Sequence, residues 1–479
     1  MSSHSSGVAF RRRRIVSGVT SLGVLAGLGL VAAAPVSAAT AADCTPANTV
    51  APTSLPDAAT ALQALLDAAT AVICIDGVLV LTAELVASGP VSFLGLSGAV
   101  LDGAETHRIL DAPGESVNVE GIRFTGGRGD EGGAIRGGAV TIVDSVFDHN
   151  VSAGQGGAVD ADAVEVTGSV FEDNSSGGWG GGAIWFDSTA TIASSEFRRN
   201  STEERGGAIA SYGVVTSLSD STFEDNTVVY YGGAVYAQTA ATITNSTFAR
   251  NASTFQFGTA GAVFTGTATI TNSTFVGNSS INWAGAIYSS RATIAQSTFL
   301  DNTADWGNSV VARGGTDSTY AGSIFAGTAL GLQLADYDGE AAGDLGGNVF
   351  TNAQADELTL VPLGAGTIFG QTVAAIFGTE VLGDNGGDVP TLALPEGSVA
   401  IDLVPPGSPV TTDQRGWTRV AANDAGAFEF GAVDPTLQPA AEEPTLPPTG
   451  AEPGILATFA AALLAAGALA LGLVRRRRA

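Results

Sequence analysis

SVFDHN (Ser145–Asn150), SVFEDN (Ser169–Asn174), SEFRRN (Ser195–Asn200), STFEDN (Ser221–Asn226), STFARN (Ser246–Asn251), STFVGN (Ser273–Asn278) and STFLDN (Ser297–Asn302) are one spelling written seven times. Phe124 and Phe325 extend the series by one step each way without the asparagine, and consecutive phenylalanines lie 23 to 27 residues apart. Between them a second motif alternates: GGAI from Gly132, GGAV from Gly156, GGAI from Gly181 and from Gly206, GGAV from Gly232, AGAV from Ala260 and AGAI from Ala284. A period of this size marks a solenoid.

The physics of one repeat explains why many are needed. Five residues before each phenylalanine stands Val119, Ile142, Val166, Ile192, Leu218, Ile243, Ile270, Ile294 or Tyr320, so every turn offers an aliphatic or aromatic pair to one interior. A single turn cannot bury that pair. Turns stacked ~4.8 Å apart can, by pairing as parallel strands with like side chains over like. The recurrent Ser and Gly suit sharp corners with positive φ. Parallel crossovers are overwhelmingly right-handed. The reading is an all-β chain, a right-handed parallel β-helix (solenoid) of roughly ten coils and about 50 Å, with an N-terminal capping helix and a C-terminal cap domain.

The alternation of GGA[IV] and FxxN resembles the repeat of polymorphic outer-membrane proteins, autotransported adhesins of Gram-negative bacteria. The resemblance covers about residues 119–325. It implies a β-helix and leaves function open, because β-helices carry adhesins, lyases and hydrolases alike.

The ends of the chain speak of location. Residues 1–41 hold no acid, four arginines at Arg11–Arg14, an apolar run Ile15–Ala34, and small residues at Val36-Ser37-Ala38 and Ala39-Thr40-Ala41. This is the pattern of a secretory signal peptide, with an uncleaved N-terminal anchor as the alternative. At the far end come Leu446-Pro447-Pro448-Thr449-Gly450, an apolar stretch Ile455–Val474, and Arg475–Arg478. That order resembles an LPXTG-type sortase sorting signal of a Gram-positive envelope. The resemblance implies that sortase cleaves between Thr449 and Gly450, joins Thr449 covalently to peptidoglycan, and discards residues 450–479. The membrane is then a partner only before processing, through a transmembrane helix in that tail.

Composition agrees. The chain has no lysine, and residues 42–449 carry 12 arginines against 46 acids. So acidic a surface excludes nucleic acid as a partner. Cys44 and Cys74 are the two cysteines. Export makes a disulfide between them the expectation, worth about 3–4 kcal/mol for the loop it closes.

Residues 42–74 read as an N-terminal cap, with Leu62, Leu65 and Leu66 on one face of a helix opened near Ser54 and Pro56. Residues 75–325 form the β-helix. Residues 326–430 form a C-terminal cap, and within them LGDNGGDVPTLALPEGSVAID (residues 382–402) and TDQRGWTRVAANDAGAFEF (residues 412–430) resemble the choice-of-anchor Q domain. There Asp413 and Arg415 read as a structural ion pair. Residues 431–449 are a Pro-rich acidic linker bearing LPPTG.

Candidate chemistry is sparse. Glycan cleavage would need paired carboxylates, or acids with a basic residue, and the mature chain offers only His107 and His149 beside acids such as Asp148, Asp160 and Asp162. Asp148-His149, Glu172-Asp173, Arg198-Arg199 and Glu224-Asp225 read instead as a surface ion ladder in which arginines sit between the acids of both neighbouring coils. No catalytic residue, metal site or cofactor is expected. The aromatics ahead of the Gly-Ala motif, Trp179, Tyr231, Phe257, Trp283 and Trp306, would align on stacking as a stripe able to meet a glycan or protein ligand. The functional expectation is a cell-wall-anchored adhesin or surface-interaction rod, with a polysaccharide lyase or glycoside hydrolase as the alternative.

Overall fold

The computed structural model describes residues 40–435 apart from 53–56, 214, 314–316, 329–332, 337–341, 353–362 and 421. It is a right-handed parallel β-solenoid of about eleven turns. The described strands form three parallel sheets of eighteen, twelve and seven members. Each coil runs through a long strand such as Ile135–Val143, the phenylalanine strand Val146–Asp148, and the short strand Val151–Ser152. The phenylalanine strands keep register from coil to coil, Phe124 pairing with Phe147, Phe147 with Phe171, Phe171 with Phe197, and onward, while the long sheet shifts register between Ala161 and Ala163 and between Ala237 and Ala240.

Inside, like lies on like. The rings from Phe124 to Phe369 stack with centroids 4.7 to 5.1 Å apart. The asparagines form a second, polar ladder in a buried corner. Asn150 Nδ2 donates to Asn174 Oδ1 at 3.0 Å and to the Phe124 carbonyl at 3.1 Å, and the same scheme repeats through Asn302. Each asparagine thereby satisfies the backbone where the chain turns, which a buried corner requires. The residue before it, His149, Asp173, Arg199, Asp225, Arg250 or Asp301, takes a left-handed φ near 50–55°, and Gly277 does so at 64°. The second glycine of GGA[IV] answers another demand. A Cβ on Gly233 would lie 1.8 Å from the Gly261 carbonyl oxygen of the next coil, so the stack closes only without a side chain there.

At the N-terminal end, α1 (Ala58–Asp67) is capped by Asp57, whose side chain accepts from the Ala59 amide. Leu62 is fully buried in the core of the first coils and Leu65 and Leu66 pack against it, covering the open cross-section. Cys44 and Cys74 are bonded, with Cα atoms 5.8 Å apart, and tie the lead segment to the strand Ile73–Ile75 of the long sheet.

The C-terminal part departs from expectation in two ways. The ladder does not stop at residue 325: Ile324 and Phe325 pair with Val349 and Phe350, and Phe369 stacks on Phe350. Nor is the remainder a simple end cap. With α2 (Val373–Phe377) it lies along the outer face of the phenylalanine sheet, packing Ile376, Phe377, Leu392 and Leu394 against Leu300, Ile324 and Val349. The reason is written in the residue before each phenylalanine, which points outward. Val78, at the same register ahead of Leu79 in an uncovered coil, is 53 % exposed, whereas Thr247, Thr274, Thr298 and Ile324 are buried under the module.

Asp413 and Arg415 pair at 2.6 Å inside this module, with the guanidinium between the rings of Trp417 and Phe428. A second buried pair, Arg419–Glu429 at 2.9 Å, lies beside it, and Arg419 also donates to Asn272 of the solenoid.

Candidate functional site

The expected aromatic stripe forms only in part. Backbone bridges run Arg205–Tyr231–Thr259–Trp283–Trp306, so Tyr231, Trp283 and Trp306 share the corner position. Trp179 and Phe257 do not. Nine residues separate Asn251 from Ala260, against six from Asn226 to Gly232, and seven separate Asn174 from Gly181. The extra residues put Thr259 and Gly180 at the corner and push Phe257 and Trp179 out of the stack. They are the most exposed aromatics of the face, at 63 % and 62 %.

A second aromatic row lies beside the corner and was legible in the sequence without being read. The residue just after each GGA[IV] motif is Arg136, Asp160, Trp185, Ala210, Tyr236, Phe264 or Tyr288. Strand alternation turns it outward, because its predecessor (Ile135, Val159, Ile184) is a core residue. Tyr236, Phe264 and Tyr288 stack with centroids 5.1 and 5.3 Å apart and planes within 12°. Tyr231 meets Phe264 edge-on at 5.5 Å, Trp283 meets Trp306 edge-on at 4.9 Å, and Tyr212 bridges Trp185 and Tyr236 at 5.3 and 6.1 Å. The Arg205 guanidinium lies over Tyr212 and Tyr236 at 5.3 and 5.6 Å, a cation–π arrangement. The face is therefore continuous from Trp185 to Trp306.

At its N-terminal end the rings border a groove of about 640 Å³, lined by Asp130, Glu131, Gln155, Trp179, Trp185 and Tyr212 among others. Gln155 Nε2 donates to Asp160 Oδ1 at 3.1 Å. Asp160 is only 8 % exposed, and burial pushes its carboxyl up to about 7, helped by Glu131 and Asp187 and opposed by the Gln155 hydrogen bond and Arg136.

Asp162 is exposed, whereas Asp148 and the acids of the ladder have structural partners. Arg123 grips Asp148 through two hydrogen bonds of 2.6 and 2.7 Å, and His149 Nδ1 lies 2.8 Å from the same carboxylate. Burial is the largest single influence on Asp148 and would raise it, but the hydrogen bonds from Arg123, His149 and Thr125 together with the Arg123 charge outweigh it, and its pKa is lowered. The ion ladder is one-sided, contrary to expectation. Arg199 pairs with Glu172 and Asp173 of the preceding coil, while Glu224 and Asp225 are met by Arg250 of the following one. Both arginines occupy the left-handed corner, which directs them back along the axis.

Leu446, Pro447, Pro448, Thr449 and Gly450, the signal-peptide segment and the apolar tail lie outside the described residues. Among the described residues no helix is long and apolar enough to cross a membrane.

Comparison with known proteins adds two findings. The family model for a right handed beta helix region matches residues 108–280, and that for the LPXTG cell wall anchor motif matches residues 438–479. No curated protein and no solved structure matches the chain. The anchor match identifies a cell-wall-anchored surface protein of the Gram-positive type, joined covalently to peptidoglycan by sortase, with a β-helix as its external domain.

Proposed function

We propose that the β-helix is a display rod whose outer aromatic face binds an extracellular ligand, so that the protein acts as an adhesin. The observation that supports this is the aromatic row on the outer side of the long sheet. The interior is already closed by the Ile, Phe and Asn ladders, so a second aromatic layer outside it adds nothing to that closure. Trp185 and Tyr236 are buried beneath this layer, while Tyr231, Phe264, Trp283 and Tyr288 are half-exposed, and half-exposed aromatic rings on a rigid scaffold are the chemistry of binding hot spots. The resemblance of residues 382–402 and 412–430 to the choice-of-anchor Q domain suits a molecule built for surface display. Wall-bound protein screened against a glycan array and against extracellular matrix proteins tests the reading: binding must fall when Tyr231, Trp283 and Trp306 are replaced together by alanine.

Glycan cleavage is the second reading, and Asp160 is the observation that favours it. A carboxyl that keeps its proton to about pH 7 is suited to general-acid work. Against it, Asp160 lies beneath Gln155 and does not line the groove. A reducing-sugar assay run on the same glycans decides between the two, since turnover would make the protein an enzyme.

A further inference from the structure

We propose that the groove between Trp179 and Tyr212 is a saccharide subsite, which seats part of an uncharged glycan chain extended along the solenoid axis. The inference rests on the aromatic face being a binding surface, and it names the ligand chemistry that this face would select.

The rings of the face are not equivalent. In the Tyr236–Phe264–Tyr288 row each ring covers the face of the next, leaving mainly edges toward solvent. Such a stack is a poor platform for a pyranose, whose C–H bonds lie best against an open ring face. Trp179 stands outside that stack, thrown outward by the extra corner residue, and is 62 % exposed. Across the groove Tyr212 is 37 % exposed and held edge-on to Trp185, which is buried and forms the floor. Two ring platforms thus flank a channel.

The polar lining decides what fits between them. The Gln155 side chain can donate and accept, and Asp130 and Glu131 accept, the set that sugar hydroxyls require. Asp160 beneath the floor fixes Gln155 through the 3.1 Å hydrogen bond, and so acts as a positioning residue. Carboxylates in the wall of a strongly acidic chain repel uronic, sulfated or phosphorylated glycans, which leaves an uncharged one.

Direction follows from the stacking. Trp185 and Tyr212 come from successive coils, and the exposed rings of Phe257 and Trp306 continue along the same side of the long sheet. From the Trp179 corner to the Trp306 corner is five coils, or about 24 Å at the strand spacing. Affinity should therefore grow with chain length until the ring series is spanned.

The protein released intact from the wall by muralytic digestion can be titrated calorimetrically with cello-oligosaccharides and N-acetylglucosamine oligomers of increasing length, and with oligogalacturonates as acidic controls. One uncharged series should bind, tighten with length, and lose about tenfold in affinity on Trp179→Ala and on Tyr212→Ala, with Trp179→Phe keeping most of it. Trp179 is too exposed for its loss to unfold the coil. Unchanged binding in both alanine variants, or equal binding of oligogalacturonate, overturns the inference. If no saccharide binds but a protein ligand is lost on replacing Trp283 and Trp306, the subsite fails while the aromatic binding face stands; loss of neither overturns both.

Discussion

The Thr274 hydroxyl donates to the side-chain oxygen of Gln414 at 2.5 Å, although 140 residues of chain separate them. The Gln414 amide nitrogen donates in turn to Thr247 at 2.7 Å, so one glutamine spans two coils. Thr298 and Gly322 repeat the attachment, accepting from the amides of Ala427 and Gly426. These bonds put the C-terminal module beside the stack, where it clamps several coils at once. The path from the anchor to the rod then enters through the flank of the solenoid.

Gln414→Ala tests that clamp. Both threonines are fully buried, and Thr274 would lose its acceptor without access to water. A buried polar group left unsatisfied costs about 1–3 kcal/mol. The variant should show faster amide exchange in residues 412–430 while the coils before Phe223 keep wild-type protection. Uniform loss of protection along the rod would mean that module and solenoid unfold as one unit.

The phenylalanine ladder invites a second test. Phe223 is fully buried, with rings 4.9 Å below and 4.7 Å above it. Phe223→Ala removes both stacks and leaves a cavity that neighbouring coils cannot close without breaking register, at about 3–5 kcal/mol. Chemical denaturation would measure it. A loss below ~1 kcal/mol would show that the coil collapses into the gap.

Much of this was legible because a repeat states its environment many times. Ile, Phe and Asn recur at positions where every coil asks the same question, and the structure places them in three buried ladders. What was not legible depended on breaks in the repeat. An extra residue ahead of Gly181 and three ahead of Ala260 move Trp179 and Phe257 off the corner, and only a count of one step back from the motif, which lands on Gly180 and Thr259, exposes such insertions. The aromatic row at Trp185, Tyr236, Phe264 and Tyr288 was available from strand alternation. The flank position of the C-terminal module was foreshadowed only by the change from Val146 and Val170 to Thr247, Thr274 and Thr298, which is a change of partner rather than of fold.

Asp160 supplies a pH signature. Its carboxyl is pushed up to about 7, chiefly by burial, whereas an unfolded aspartate titrates near ~3.9. Between those values the folded chain holds a proton that the unfolded chain has released. Stability therefore falls as pH rises from about 4 to about 7 and levels beyond, by up to about 4 kcal/mol. Asp160→Asn keeps the shape of the protonated form and should lose the part of the slope that Asp160 contributes over that window. Asp424, raised to about 6 chiefly by burial, slopes the same way in both proteins and cancels from the difference. Parallel urea-denaturation profiles for the two proteins from about pH 4 to 8 would place Asp160 ionised throughout the folded range.

Anchoring carries the last prediction. The matched anchor region spans residues 438–479 and contains the pentapeptide, the apolar stretch and the terminal arginines in the order that sorting requires. The twenty-residue stretch from Ile455 to Val474, apolar but for Thr458 and two glycines, has the length expected of a segment that halts in a bilayer, and the positive-inside rule would leave Arg475–Arg478 on the cytoplasmic side. The resemblance to a sorting signal implies that sortase breaks the Thr449–Gly450 bond and passes the threonine carbonyl to a peptidoglycan amine. Thr449→Ala should leave export intact while moving the protein from the wall to the membrane fraction with its tail attached. Mass spectrometry of wall digests from the wild type should find a peptide that ends at Thr449 in amide linkage to a peptidoglycan cross-bridge. Wild-type protein recovered only from membranes, still carrying Arg475–Arg478, would show that the pentapeptide goes uncut and that the apolar tail alone holds the rod.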